Sequence, residues 1–278
     1  MIVNQVINNN TIFSTDELGN EVVCFGKGIG FHSKKGQTVD RGQIEKIFVV
    51  VDESEKNSFQ NFVLEIPYEI ITFGIRVTDY IEECCSKKIN KKHLLLPLVD
   101  HLYTTLERYR DGIRIDNNVL WNIRYLYREE FKIAQDVVDM LISFTDVAID
   151  EGEANYITLH IINSELDLDS RDGYKATSII ETAYKTVEET FDVVLDKEDI
   201  SFQRFVTHLQ FLAKRVIQNA FFEDDLDIYQ NIRFKYADAY NCALKIINKL
   251  QNNYQITISE SEISYLTIHI ARLLKNTK

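Results

Sequence analysis

An internal repeat constrains the fold of this chain more than any other feature of its sequence. Asn122-Ile-Arg-Tyr-Leu-Tyr127 recurs as Asn231-Ile-Arg-Phe-Lys-Tyr236, at an offset of 109 residues. Tyr156-Ile-Thr-Leu-His-Ile161 recurs at the same offset as Tyr265-Leu-Thr-Ile-His-Ile270. The chain has only 10 glycines and 2 prolines, which favours long helices over turn-rich sheet. The repeat therefore predicts two copies of one helical domain.

A different pattern precedes the repeat, so we predict an α+β multidomain chain. Short runs rich in Val, Ile, Phe and Thr alternate with turn-forming residues, which is typical of a small antiparallel β-sheet. So small a domain is expected to dimerise to complete its core. The strands are expected at residues 2–7, 11–15, 21–25 and 44–51. The predicted domains are 1–56 for the sheet, 57–65 for a linker, and 66–172 and 173–278 for two homologous all-α helical bundles.

Charge is distributed unevenly between the sheet domain and the repeats. Residues 1–50 hold five cationic and five anionic side chains, so the other 228 residues carry the whole net charge of −12. An acidic surface repels phosphates, so a nucleic-acid site must be local and must lie in the neutral N-terminal part. The four cysteines form no C-x-x-C pair, and we expect no signal sequence and no membrane span, since neither the pattern of a signal sequence nor a long apolar run occurs in the sequence. We expect a cytoplasmic protein with no membrane anchor and no cofactor.

The candidate nucleic-acid site is the glycine-rich stretch Gly26-Lys-Gly-Ile-Gly-Phe31. Glycines allow the backbone to approach a ligand closely, while Lys27 and Phe31 supply a cation and an aromatic ring. The alternative is structural, because Gly-Lys-Gly in a β-rich segment also forms a bulge or tight turn. The motif alone leaves both interpretations open.

Each repeat contains two histidines at equivalent positions: His101 and His160 in the first copy, His208 and His269 in the second. Packed, hydrogen-bonded imidazoles are the ordinary interpretation. Metal binding is disfavoured because no pair of ligands lies one helical turn apart, and catalysis is disfavoured because no known catalytic motif accompanies them. Phosphorylation would place negative charge in an acidic helical region and could repack an interface. Because the sequence has neither a metal-ligand pair nor a catalytic motif at these histidines, we predict no catalytic residue and no metal site.

In each copy, one arginine follows the first histidine by two helical turns. Arg108 follows His101, and Arg215 follows His208. Each could balance a nearby phosphate or could simply form a surface ion pair, and the sequence does not distinguish these roles.

These motifs together resemble the BglG/SacY-type transcriptional antiterminators of bacteria, along the whole chain. The N-terminal motifs resemble the co-antiterminator RNA-binding domain of that family, and the histidine motifs resemble its two phosphotransferase-system regulation domains. The motifs are Val6-Ile-Asn-Asn-Asn10, Gly26-Lys-Gly-Ile-Gly-Phe31, Ile44-Glu-Lys-Ile-Phe48, Asp100-His-Leu102, Leu159-His-Ile161, Phe205-Val-Thr-His-Leu209 and Leu266-Thr-Ile-His-Ile270.

The resemblance implies a homodimer that binds an RNA hairpin, the ribonucleic antiterminator, and prevents a terminator in the leader of a sugar-utilisation operon, such as one for β-glucosides. It also implies phosphorylation of the four histidines by the histidine phosphocarrier protein and a sugar-specific permease. A DNA-binding activator with the same regulation domains is the alternative, although strand patterns stand where a helix-turn-helix is expected. The predicted RNA-binding residues are Asn10, Gly26, Lys27, Gly28, Phe31, His32 and Lys34.

Overall fold

The structure, a computed structural model, describes residues 1–31, 33–49, 59–60, 62–114, 122–166, 172–221 and 232–275. His32, residues 50–51 at the end of the last predicted strand, and Asn231 of the repeat lie outside the described residues. The chain divides into two compact units. The first comprises Met1–Glu83 and Leu95–Arg114, and the second comprises Cys84–Leu94 and Ile115–Lys278.

The predicted N-terminal sheet is confirmed. Four antiparallel strands lie in the order β1-β2-β3-β4, and each pairs with its neighbour in sequence. Residues that alternate along a strand point to opposite faces, so one face buries Val3, Ile12 and Cys24 together with Ile29 from the loop after β3. The strands are β1 Ile2–Asn8, β2 Thr11–Thr15, β3 Glu21–Phe25 and β4 Lys46–Val49.

Aromatic residues from beyond the strands pack on the other side of this sheet. Phe25 meets Phe48 edge to face at 5.6 Å between ring centroids, and Phe59 lies 5.4 Å from Phe48 and 6.0 Å from Phe62. The Asn8 side-chain amide donates to the Val63 carbonyl at 3.1 Å. Part of the segment expected to be a linker therefore contributes to the core of the first unit.

The helices of the first copy include a close approach between two of them. A Cβ added at Gly74 would overlap Val99 Cγ2, so the glycine allows α1 and α2 to pack tightly in the first unit. The helices are α1 Tyr68–Cys84, α2 Lys91–Arg110, α3 Ile123–Leu126, α4 Arg128–Thr145 and α5 Glu153–Leu166.

The second copy repeats this order of elements, which confirms the predicted helical repeat. α7 packs against α6 and α10, and α9 packs against α6 and α10. The Asp199 side chain caps the start of α7, and Asn219 in the left-handed conformation ends it. The helices are α6 Asp172–Phe191, α7 Ile200–Gln218, α8 Ile232–Lys235, α9 Ala237–Tyr254 and α10 Glu260–Lys275.

Helix α3 of the first copy packs into the core of the second copy. Ile123 and Leu126 belong to the same buried cluster as the apolar faces of α6, α7, α9 and α10. The Gln203 and Gln210 amides on α7 donate to the Tyr125 and Leu126 carbonyls, at 3.2 and 3.1 Å. Because these carbonyls are at the end of α3, α7 satisfies acceptors that the short helix leaves open.

Across the described parts of the chain, no helix combines the length and the apolar character needed to cross a membrane.

Candidate functional site

The glycine-rich loop that follows β3 has a conformation that depends on its glycines. Gly28 has a φ of +72°, a region that L side chains rarely adopt. A Cβ at Gly26 would overlap the Gln43 carbonyl oxygen, and a Cβ at Gly30 would overlap that of Asn8. The loop is therefore held close against neighbouring backbone at two points and turns between them.

Asn10 fixes this loop from the turn between β1 and β2. Its Oδ1 accepts a hydrogen bond from the Gly28 N–H at 2.8 Å, and its carbonyl accepts one from the Gly26 N–H at 3.1 Å. The Asn8 Oδ1 in turn accepts from the Asn10 N–H at 2.9 Å. Asn10 thus has a structural role in shaping the loop in addition to any contact with RNA.

The loop presents an aromatic ring and cations at the surface. Phe31 is 61% exposed, and Lys27 and Lys34 are exposed residues. The backbone N–H of Lys27 donates to Glu45 Oε1 at 3.1 Å, which leaves the ammonium outside this bond. Of the predicted RNA-binding residues, the structure thus brings six together on the loop and its Asn10 support, and His32 lies outside the described residues.

In the second copy, the two predicted histidines come into direct contact. His208 on α7 and His269 on α10 stack with ring centroids 3.5 Å apart and an interplanar angle of 27°. Tyr265, one turn before His269, meets the His269 ring edge to face at 4.9 Å. Packing of α7 against α10 therefore forms one paired site from residues that are distant in sequence.

The environment of this pair favours neutral imidazoles. Burial, and to a smaller extent the neighbouring His208 and Arg272, lower the pKa of His269 to about 4. Burial also lowers the pKa of His208, with Arg272 and Arg215 as smaller causes. A neutral ring keeps a nitrogen lone pair, so each can act as a nucleophile near neutral pH.

A cavity of about 270 Å³ opens beside the stacked rings. Ser201 and Arg204 line it from α7, and Arg272 lines it from α10. Its remaining lining residues are Phe205, His208, His269, Leu273 and Lys275. Arg204, Arg272 and Lys275 are not among the predicted site residues, although the first two stand about one helical turn from a histidine, a spacing that places side chains on one face.

Arg215 is engaged in an ion pair. Its guanidinium binds both carboxylate oxygens of Glu262, through Nε to Oε1 and through Nη2 to Oε2 at 2.8 Å. This bidentate pair joins α7 to α10 and favours the ion-pair interpretation of Arg215. The equivalent Arg108 donates from Nη2 to Thr105 Oγ1 at 3.1 Å and lies over the Tyr109 ring.

The first-copy histidines are both half-buried. His101 lies on α2 in the first unit, and His160 lies on α5 in the second. Near α5, Lys87 binds the carboxylates of Glu130 and Glu165. Burial and the nearby Glu130 raise the pKa of Glu165 to about 8, and Lys87 opposes the shift.

Comparison with known proteins supports a common family for the whole chain. The CAT RNA binding domain matches residues 1–57, and the PRD domain matches residues 76–164 and 181–273. Transcription antiterminator LicT of Bacillus subtilis is 32% identical over 99% of this chain and 99% of its own length. The chain is a BglG/SacY-type antiterminator. The RNA-binding match at the N-terminus favours the predicted RNA-binding regulator over the DNA-binding alternative.

Other relatives agree with this family. The beta-glucoside operon antiterminator of Dickeya chrysanthemi is 33% identical over 98% of this chain and 96% of its own length. The crystal structure of GlcT CAT-PRDI is 30% identical and has a TM-score of 0.51, with coverage of 59% of this chain and 97% of that chain. The two PRD matches imply regulation by the sugar phosphotransferase system.

Proposed function

We propose that this antiterminator binds an RNA hairpin in the leader of a sugar-utilisation operon, for β-glucosides by analogy with its Dickeya relative. Binding holds the RNA in a form that cannot pair as a terminator, so transcription continues. In this proposal residues 1–56 form the RNA-binding domain and act as a homodimer. Residues 57–65 link this domain to two regulation domains, residues 66–172 and 173–278, which control RNA binding. The observation that carries the RNA-binding role is the loop that Asn10 holds by hydrogen bonds and that exposes both Phe31 and Lys27.

The loop suits a structured RNA with unpaired bases. An exposed Phe31 ring can stack on a base that a bulge leaves open, and Lys27 and Lys34 can contact phosphates. Asn10 and the glycine backbone bring these groups to a fixed spacing, so the loop is organised before RNA binds. His32 completes the proposed set of contacts.

The proposed switch is phosphorylation of His101, His160, His208 and His269. When the histidine phosphocarrier is the donor, a ring nitrogen of the neutral acceptor attacks phosphorus with its lone pair, and the N–P bond of the donor phosphoimidazolium breaks. Its electron pair returns to the donor ring, so a neutral donor imidazole and an acceptor phosphoimidazolium result with no net proton change. The neutral, stacked state of His208 and His269 is suited to this step.

Two donors would act on different copies. We expect the sugar-specific permease to phosphorylate the first copy and inhibit, and the general histidine phosphocarrier protein to phosphorylate the second copy and activate. The added charge would meet an acidic protein and, in a homodimer, the equivalent charge of the partner subunit. Phosphorylation of the first copy would thereby loosen the pairing of the RNA-binding domains, and phosphorylation of the second copy would favour it.

The test is a gel-shift titration of the purified chain with the leader RNA from upstream of its own operon. We expect binding to the hairpin and much weaker binding to an RNA of the same length without it. Equal affinity for unrelated duplex DNA would contradict the proposed function. Residues 1–56 should bind without phosphorylation, because the exposed aromatic and cationic groups lie within them.

A further inference from the structure

The cavity beside His208 and His269 is cationic, although the chain as a whole carries a net charge of −12. Arg204 on α7, and Arg272 and Lys275 on α10, are exposed residues that line it. Among the described lining residues, none is an aspartate or a glutamate. Positive charge concentrated in a concave site of an acidic protein is suited to an anion.

The two guanidinium groups are available to a ligand. Neither Arg204 nor Arg272 has an ion-pair or hydrogen-bond partner within the ranges that the structure describes, whereas Arg215 on the same face is occupied by Glu262. The Arg272 charge acts on both imidazoles, since it lowers the pKa of His208 and of His269. A phosphoryl group on either ring would therefore lie within the influence of this arginine.

The repeat shows that these cations belong to the second copy alone. Arg204 stands four residues before His208, and the residue four before His101 is Pro97. Arg272 stands three residues after His269, whereas Asn163 stands three after His160. Both cations are replaced by uncharged residues in the first copy, although the histidines themselves are retained. The two copies therefore share the histidines that would accept phosphate and differ in the charged residues around them.

We propose that Arg204 and Arg272 bind the phosphoryl group carried by His208 or His269. This inference rests on the proposed phosphorylation of the second copy and adds the residues that hold the product. A guanidinium offers paired N–H donors that match phosphoryl oxygens, so the two arginines would bridge the modified ring from α7 and α10. Lys275 adds a further positive charge. The first copy has Pro97 and Asn163 in place of these arginines, so its phosphohistidines would lose the phosphoryl group sooner.

The first experiment asks whether the cavity binds phosphate and does not need a phosphorylated protein. The full chain is titrated with inorganic phosphate while the His208 and His269 imidazole signals are followed by NMR. We expect saturable shifts in both rings, weakened on the order of tenfold by Arg204→Gln or by Arg272→Gln. Arg233→Gln is the matched control, because Arg233 is exposed on α8 and lies outside the cavity lining. Absence of saturable shifts in the unaltered chain would overturn the inference.

The second experiment follows the modified protein. The chain is labelled from the phosphorylated phosphocarrier, the donor is removed, and loss of label from each histidine is timed. Label on the second copy should decay several-fold faster in Arg204→Gln and Arg272→Gln, Arg272→Lys should restore part of the lifetime, and Arg233→Gln should match the unaltered chain. Equal lifetimes in all variants, with circular dichroism unchanged, would refute the role of the arginines. If the second copy accepts no label, the proposed function fails there, and the phosphate titration alone decides whether the cavity binds anions.

Discussion

The imidazole rings of His208 and His269 stack 3.5 Å apart, although α7 and α10 are separated in sequence by two further helices. Two rings at this distance cannot both be protonated without strong repulsion, and burial disfavours the charge on each. The pair is therefore neutral at physiological pH. It is held by the packing of the two helices and by the Arg215–Glu262 ion pair that also joins them.

This pairing predicts that acid destabilises the second copy. The pKa of His269 is lowered from 6.5 to about 4, so the unfolded chain binds the proton more readily than the folded chain. The stabilisation that the neutral His269 ring gives the folded state is complete above pH 6.5 and is lost as the pH falls from about 6.5 to about 4. Solvent screens a partly buried ring, so the free energy of unfolding should fall by less than the full pKa shift would give. The expected loss is on the order of 2 kcal/mol.

Urea unfolding of the full chain and of His269→Gln between pH 7 and pH 4 measures this effect. The variant should lose less stability across the window, since glutamine does not titrate there. His93→Gln supplies a control, because His93 is an exposed histidine of α2. A pH dependence that is the same in His269→Gln and the unaltered chain would contradict the assignment.

The glycine loop predicts a contrast between two neighbouring substitutions. Gly26→Ala would place a Cβ against the Gln43 carbonyl oxygen, so the backbone must shift, at a cost of about 1–3 kcal/mol in the free energy of unfolding. Gly42→Ala is the matched control, since its nearest contact would be 3.6 Å, an ordinary van der Waals distance. Thermal unfolding and the RNA gel shift should both distinguish the variants. A Gly26→Ala protein as stable as Gly42→Ala would show that the loop tolerates the displacement.

Phe31→Ala should weaken RNA binding by about 1 to 3 kcal/mol without affecting the fold, because an exposed ring contributes by stacking on a base. Leu18→Ala is a suitable comparison, since Leu18 is 87% exposed in the turn between β2 and β3. It should bind the hairpin as the unaltered chain does. The measurement is a gel-shift titration at fixed salt, and unchanged affinity of Phe31→Ala would remove the ring from the interface.

The sequence predicted most of the elements because their signals are local. Alternating apolar residues located the strands, and turn chemistry separated them. Within the described residues the last strand starts at Lys46 instead of at residue 44, because pairing with β3 begins where Lys46 faces Phe25. The Glu45 N–H still donates to the Phe25 carbonyl at 2.8 Å, but β3 ends at Phe25 and the glycine-rich loop starts at Gly26, so residues 44 and 45 lie outside the ladder.

The site itself depended on tertiary packing that no local pattern reveals. The repeat identified His208 and His269 as equivalents of the first-copy histidines, but their stacking requires α7 to lie against α10. Arg204 and Arg272 were missed because each stands only one helical turn from a histidine of its own helix, and it is the cavity between α7 and α10 that brings both arginines to the histidine pair. The role of Phe59 and Phe62 in the first unit was also hidden, because a polar run precedes them.

Phosphorylation is expected to have opposite effects on activity in the two copies. Replacing His101 or His160 with alanine should leave the protein active without inducing sugar, since an inhibitory phosphate can no longer be added. Replacing His208 or His269 with alanine should lower activity, since the activating phosphate is lost. His269→Asp should restore part of the activity, although a carboxylate carries less charge and fewer acceptor oxygens than a phosphoryl group. Transcriptional readthrough in a reporter strain, with and without the general phosphocarrier, measures each effect.

The design separates the switch from a simple loss of structure. His93→Ala alters an exposed histidine that the repeat does not duplicate and should behave as the unaltered chain in both strains. The activity of the His208 and His269 variants should depend less on the phosphocarrier, and the activity of the double variant His208→Ala/His269→Ala should not depend on it at all, because both groups that would accept its phosphate are then absent. The effect of phosphorylation should be clearest in the second copy, because Arg204 and Arg272 line the cavity beside its histidines and have no anionic partner among the described residues. If all four alanine variants respond alike, the two copies are not opposing inputs, and the histidines serve only as packed side chains.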